Sequence, residues 1–246
     1  MKKIIIFIVV VAMIALYQQF SVKIVDEKSL PKIIQADWID LSRVGSISKF
    51  RSGSGHDFSG NGDTCRSMKH YFNAKRTNEE EMMVSKHKGM LPAFSLEGAI
   101  PIYSPVDGEI VAIKEDQSDL GKQVYIQSKN YENFIFRLFH IFLLDGYVEG
   151  KTVSAGEHIA NIGRIQNTDI AVSMGGLGSK VFVSYFSVMP DEIFSKYQLA
   201  GIMNRDQLIV TKEYRDIHPF QCKGEWFIEN NDATLDESVY INGYMR

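Results

Sequence analysis

The chain has 246 residues, 45% of them hydrophobic and 23% charged, with a formal net charge of -3. That length allows one well-buried domain with additions or two small ones, and the ordinary composition excludes a low-complexity or disordered chain. The slight acidity counts against a nucleic-acid partner, which selects a basic surface.

The first twenty residues, "MKKIIIFIVVVAMIALYQQF", set two lysines before an unbroken apolar run from Ile4 to Leu16. A basic start followed by such a run reads as an export signal, either cleaved or kept as an N-terminal membrane anchor. The run is short for a spanning helix, which needs roughly 17–25 residues. No cysteine follows it, so a lipid anchor is not expected. The remainder is then expected outside the cytoplasm, in the periplasm or cell envelope. There Cys65 and Cys222 become a candidate disulfide, with a reactive thiol or a two-cysteine zinc site as lesser alternatives.

Residues 21–45 read as a linker and first strand, 46–190 as the main domain and 191–246 as a C-terminal extension. At the head of the main domain, "FRSGSGHDFSG" places His56 and Asp57 among three glycines, more than a packed strand tolerates. Next comes "TCRSMKHYF", where Arg66, Lys69 and His70 offer a grip on a carboxylate or phosphate of a polymer. Its plainer reading is a polar strand and turn beside a disulfide. Residues 75–90 read as a charged surface loop or short helix, with His87 solvated; His158 and His218 read as structural.

From there the texture is β. "AIPIYSPVDGEIVAIKED" has the pattern of a hairpin around a Ser-Pro-Val-Asp-Gly turn. "KQVYIQS", "NFIFRLFHIFLL", "TDIAVSM" and "KVFVSYFSV" are rich in β-branched and aromatic residues and separated by turn formers. Many short strands without intervening helices predict a mainly β fold, an antiparallel sheet or sandwich. One helix is predicted in "PDEIFSKYQLAG", from Pro190 and the acidic pair Asp191 and Glu192 to Gly201. In "TDIAVSM", alternation puts Asp169, Ala171 and Ser173 on one face and Ile170 and Val172 on the other. The same rule groups His140 with Phe134, Phe136, Leu138 and Phe142 on an apolar face, where a lone histidine is more often a satisfied buried group.

Three stretches resemble the lysostaphin/LytM-type zinc endopeptidases, which cut peptide cross-links in peptidoglycan. "IPIYSPVDGEIVAIKED" is similar to their G-x-x-V-x-A-x-x-D-G-x-V hairpin, and "FRLFHIFLLDGYVEGKTVSAGEHIANIGR" to the segment that opens on Y-x-H-L. "SGSGHDF" resembles the end of H-x-G-x-D-F. The resemblance covers roughly residues 50–190 and implies the duplicated hybrid motif fold. It also implies one zinc, held by the His and Asp of H-x-G-x-D and the second His of a late H-x-H, with water in the fourth position.

Matched position by position, the ligand set is incomplete. Asp57 falls on the ligand Asp, but Gly53 stands where the ligand His belongs. His140 matches the histidine of Y-x-H-L, and the late pair falls on Asp169 and Ala171. The resemblance thus implies catalytic positions at His140 and Asp169 and a metal position at Asp57. His56 joins Asp57 only if the site is rebuilt, with His70, Asp63 and His140 as further donors. Zinc is therefore an open expectation. The sequence-level reading is an exported LytM-like envelope protein, a degenerate member that binds peptidoglycan or a partner. Its alternative is an active endopeptidase with a rearranged zinc site. A lipoyl-type carrier, prompted by the glycine turns and the Met68-Lys69 pair, is disfavoured because Lys69 lies far upstream of those turns.

Overall fold

The computed structural model describes residues 27, 29–86, 97–116, 120–228, 237–241 and 243–244. The apolar run of the first twenty residues and His87 lie outside the described residues. Among the described residues no helix is long and apolar enough to cross a membrane.

In chain order the elements are β1 (Val44–Ser48), β2 (His70–Ala74), α1 (Asn78–Lys86), β3 (Ile100–Tyr103), β4 (Gly108–Glu115), β5 (Lys122–Ser128) and β6 (Phe134–Leu143). There follow β7 (Thr152–Val153), β8 (His158–Ile162), β9 (Thr168–Met174), β10 (Val181–Val183), α2 (Asp191–Leu199), α3 (Lys212–Ile217), β11 (Cys222–Lys223), β12 (Trp226–Phe227) and β13 (Ser238–Tyr240). Eleven strands form one sheet with the path β13-β1-β2-β9-β6-β5-β4-β7; β10 pairs with β9, and β8 joins β3 to β6. The pairings along it are antiparallel, so the mainly β, antiparallel fold is what the sequence texture predicts.

Strand alternation sorts the side chains into two cores. Phe134, Phe136 and Leu138 of β6 lie opposite Met174, Val172 and Ile170 of β9, and all but Met174 are fully buried in the larger core. Each such side chain contributes about 1.5–3 kcal/mol by leaving water. The other face carries a smaller aromatic cluster of Phe50, Met68, Phe139, Ala171 and Phe182, with Phe58 and Ile209 against it.

The larger core reaches beyond the expected domain limits. Leu30, Ile33, Ile34 and Trp38, from the stretch read as a linker, are buried in it, and Trp38 meets Phe72 edge-on at 5.0 Å. Helix α2 forms where predicted, with Pro190 at its N-cap, and buries Phe194 and Tyr197 one turn apart. The C-terminal stretch returns to the sheet, since β13 pairs with β1.

One local expectation is corrected. The SPVDG stretch joins β3 to β4, but these strands do not pair with each other; β3 pairs with β8, and β4 with β5 and β7. The turn instead steers the chain from one sheet path to the other. Of the two readings of residues 75–90, the short helix is the one that forms, as α1: Glu80 N–H donates to Thr77 Oγ1 at 3.2 Å and Thr77 N–H to Glu80 Oε2 at 2.7 Å, a reciprocal cap that "TNEE" encodes.

Cys65 and Cys222 form a disulfide across 157 residues of sequence. It ties the short β11–β12 hairpin to the glycine-rich loop. In the chain-entropy account a loop of that size is stabilised by about 5 kcal/mol. Denaturant unfolding of a Cys65→Ala/Cys222→Ala chain should therefore show a clearly lower midpoint than wild type. Coincident curves would contradict the tether.

Candidate functional site

Three neighbouring strands bring the site together. Tyr71 of β2 lies opposite Asp169 of β9, which lies opposite Phe139 of β6. All three share the face of the smaller core, and Lys69, two residues before Tyr71, falls on it by the same alternation.

His140 would point to the opposite face under strict alternation, as the sequence predicts. A bulge overturns that expectation. Lys122 and Val124 of β5 are two residues apart, whereas their partners Ile141 and Leu138 on β6 are three apart. The extra residue lets Ile141 return to the larger core while His140, with φ +60°, turns toward Asp169. A left-handed backbone at a non-glycine residue costs on the order of 1–3 kcal/mol, and the surroundings hold it in place. Thr168 Oγ1 donates to Phe139 O at 2.6 Å and Gln166 Nε2 to His140 O at 2.7 Å, so side chains satisfy the carbonyls at the bulge.

The result is a buried chain of charges. Asp116 Oδ2 lies 2.7 Å from His140 Nδ1, and His140 Nε2 lies 3.2 Å from Asp169 Oδ1. Asp169 Oδ2 lies 2.5 Å from Lys69 Nζ, and both side chains are almost wholly buried. Lys69 Nζ also sits over the rings of Phe139 at 4.5 Å, Tyr71 at 4.8 Å and Phe58 at 5.0 Å. Such aromatic faces favour a cation, the more so when it is desolvated. His56 Nε2 stands 3.4 Å from the same ammonium.

These contacts fix the protonation states. Burial pushes the Asp169 carboxyl up, but Lys69 and His140 beside it more than offset that and hold it below its ordinary value. For Lys69, burial pulls down, while the Asp169 carboxylate leads the groups that carry it above the usual lysine value. Burial likewise pulls His140 down, and hydrogen bonds to Asp116 and Asp169 raise it to about 9. His140 is then an imidazolium at neutral pH, with a carboxylate oxygen close to each nitrogen, and is not poised to accept a proton as a general base.

The other expected site residues go elsewhere. The Asp57 carboxylate accepts from Arg66 N–H at 3.1 Å, away from His56, whose Nδ1 meets Asp57 O at 3.0 Å. His56 and Asp57 therefore do not converge on one point. Arg66 is buried, with Nη1 2.9 Å from both Asp63 and Asp216. His70 is fully buried between Ser48 O at 2.8 Å and Ser184 Oγ at 2.9 Å, and burial lowers it to about 4. Arg66, Lys69 and His70 thus serve the interior, which corrects the expectation that they grip a polymer. Asp116 is the member of the charge chain that the sequence did not single out; an acid closing a strand gives no sign of a partner 24 residues on.

The positions where the resemblance requires zinc ligands do not fit a metal. Gly53 and Ala171 carry no donor. A Cβ at Gly53 would lie 2.8 Å from the Phe220 ring, and Ala171 is packed within the aromatic cluster. Gly55, at φ +72°, leaves room for the Tyr71 hydroxyl. Among the described residues no three His, Cys, Asp or Glu side chains are grouped to hold a metal ion.

No family model matches the sequence. No curated protein matches it either. Among solved structures it is similar to Helicobacter pylori Csd3, with 14% identity, a TM-score of 0.42, and 69% of this chain and 41% of that one covered. It is similar to a zinc containing peptidase from Vibrio cholerae, at 15% identity and TM-score 0.37, covering 65% of this chain and 41% of the other. LytU gives 20% identity and TM-score 0.38, covering 65% of this chain and 97% of LytU. In fold the chain is similar to LytM-type and M23 peptidases. The chain spans less than half the length of Csd3.

The raised His140 value gives a signed prediction. Its pKa rises from 6.5 unfolded to about 9 folded, so its contribution is complete below pH 6.5 and lost as pH climbs through 9. Asp37, buried and raised to about 6 while accepting from Tyr197 OH, adds its own pH dependence to any variant and cancels in a difference. The stability gap between wild type and His140→Gln should therefore shrink by on the order of 3 kcal/mol between pH 6.5 and pH 10, read by denaturant unfolding. A constant gap would mean a neutral imidazole.

Proposed function

We propose that the chain is an exported, LytM-like protein of the cell envelope that binds peptidoglycan or a wall-associated protein without cleaving it. One observation carries the non-catalytic part: the Lys69 ammonium, paired with Asp169, fills the centre of the face on which the resemblance expects metal chemistry. His140 and Asp169, expected as catalytic positions, are committed to this charge chain, and His140 is already protonated at neutral pH.

Export is supported by the basic start and apolar run of the first twenty residues and by the Cys65–Cys222 disulfide, which persists in oxidising compartments. The first segment would hold the protein at the membrane or be removed on export. The net charge of -3 supports a partner other than nucleic acid.

The test is incubation of the purified protein with isolated peptidoglycan sacculi, followed by sedimentation and analysis of the supernatant. Protein that sediments with the sacculi and releases no soluble fragments is the expected result. Protein that stays in solution, again without fragments, moves the reading to the protein partner. Release of fragments that stops with a chelator would overturn the non-catalytic reading in favour of an endopeptidase with a rearranged zinc site.

A further inference from the structure

Arg137 is a buried cation without an anion. It stands on β6 between Tyr125 of β5 and Ala171 of β9, its neighbours in the ladder. Its guanidinium carbon lies 5.2 Å from the centre of the Tyr125 ring and 5.0 Å from that of Phe182. Nη2 donates to Ser179 O at 2.6 Å, Nε is sealed in without a hydrogen-bond partner, and Nη1 makes no bond among the described residues. Arg51, Arg66, Arg76 and Arg215 are buried to a similar degree, and each has a carboxylate within 3.6 Å. Arg137 has none among the described residues. Burial pulls its guanidinium below the ordinary arginine value, and what acts against that is the Tyr125 phenol, not an acid.

A desolvated guanidinium with an unpaired N–H is costly, and aromatic faces offset only part of that cost. An anion arriving from outside relieves both deficits. Arg137 keeps 8% of its surface in water, which leaves its rim within reach. With two rings packed close to it, the guanidinium offers a narrow slot, which suits a planar carboxylate better than a tetrahedral phosphate. Lys114 Nζ lies 5.1 Å from the centre of the same Tyr125 ring, is exposed, and pairs with no acid among the described residues. Two cations thus share one ring in a chain of net charge -3, so a single carboxylate is drawn in here while a polyanion meets repulsion elsewhere. Asp169, one pair further along β9 on the same face, is already committed to Lys69 and His140.

We propose that Arg137, walled by Tyr125 and Phe182 and flanked by Lys114, is a binding site for one peptide carboxylate, and that a stem peptide of the wall occupies it. The site stands on the geometry; the wall peptide as its occupant rests on the proposed function above.

The experiment is titration of the full chain with acetyl-D-alanyl-D-alanine and, separately, with its C-terminal amide, read by nitrogen NMR of the arginine Nε–H signals. The free acid should bind saturably and shift one such signal, the one missing from Arg137→Gln, while the amide shifts none. Arg137→Gln should weaken binding roughly 10- to 100-fold, the loss of a charge-assisted hydrogen bond. Arg137→Lys, which keeps the charge without the fork, should fall between. Because Arg137 is buried and its replacement is at risk of misfolding, the exposed Lys114→Ala is carried in parallel and should weaken binding roughly two- to fivefold, with a flatter salt dependence. No binding by wild type, equal binding of acid and amide, or acid binding that both Arg137→Gln and Lys114→Ala leave unchanged overturns the site. Sedimentation with sacculi separates the two claims. Sedimentation that Arg137→Gln abolishes supports the wall peptide as occupant. Sedimentation that it leaves unchanged overturns the site as the wall contact and spares the binding reading. Acid binding by a wild type that does not sediment keeps the site and overturns the wall reading.

Discussion

The site depends on one interaction, the contact between the Lys69 ammonium and the Asp169 carboxylate at 2.5 Å in an interior with almost no water access. Either charge alone in that position would cost several kcal/mol, so each requires the other. The pair sets what its neighbours do. Asp169 stays ionised and draws in His140; His140 charges and draws in Asp116; the strained backbone at the bulge of β6 is what makes the first of these contacts reachable. A site arranged this way is stable because its charges answer one another, and for the same reason it is poor at proton transfer.

The dense packing around the smaller core is a second consequence of the same residues. Phe58, Tyr71 and Phe139 ring the ammonium, and Phe58 and Phe139 belong to the cluster that buries Ala171. Beyond them the C-terminal stretch brings Phe220 against Gly53, and Trp226 lies 6.2 Å from the His56 ring. The Glu225 carbonyl accepts from Asp57 N–H at 2.6 Å, so the β11–β12 hairpin is fastened to the glycine-rich loop by a backbone bond as well as by the disulfide. The glycines of that loop are thereby explained: Gly53 and Gly55 make room for the Phe220 and Tyr71 side chains, and Gly60 for the Lys180 carbonyl.

Much of the fold was legible because its signals are local. Alternation in "NFIFRLFHIFLL" and "TDIAVSM" identifies β6 and β9 and their core faces, and Pro190 with Asp191 and Glu192 marks the start of α2. Two cysteines in a chain with an export-like start made Cys65–Cys222 a candidate disulfide beside two other readings, and the disulfide is the one that forms. The site was half legible. His140, Asp169, Lys69 and His56 were each picked out, but in separate roles. What joins them is non-local: Lys69 meets Asp169 across 100 residues of sequence, and His140 reaches it only through a positive φ that no glycine announces. Asp116 and Phe220 offered no sign at all, since a strand-ending acid and a tail phenylalanine acquire meaning only once the chain has folded. The hairpin pattern around SPVDG misled for a related reason, because turn chemistry specifies a change of direction but not which strand will be the partner.

The face expected to hold a metal holds an internal ion chain instead. Nitrogen NMR of the His140 ring in the purified protein, recorded near neutral pH with and without added zinc, tests it most directly. His140 should be an imidazolium protonated on both nitrogens, titrating near 9 and indifferent to zinc. A ring that is neutral at pH 7 and shifts when zinc is added would contradict it.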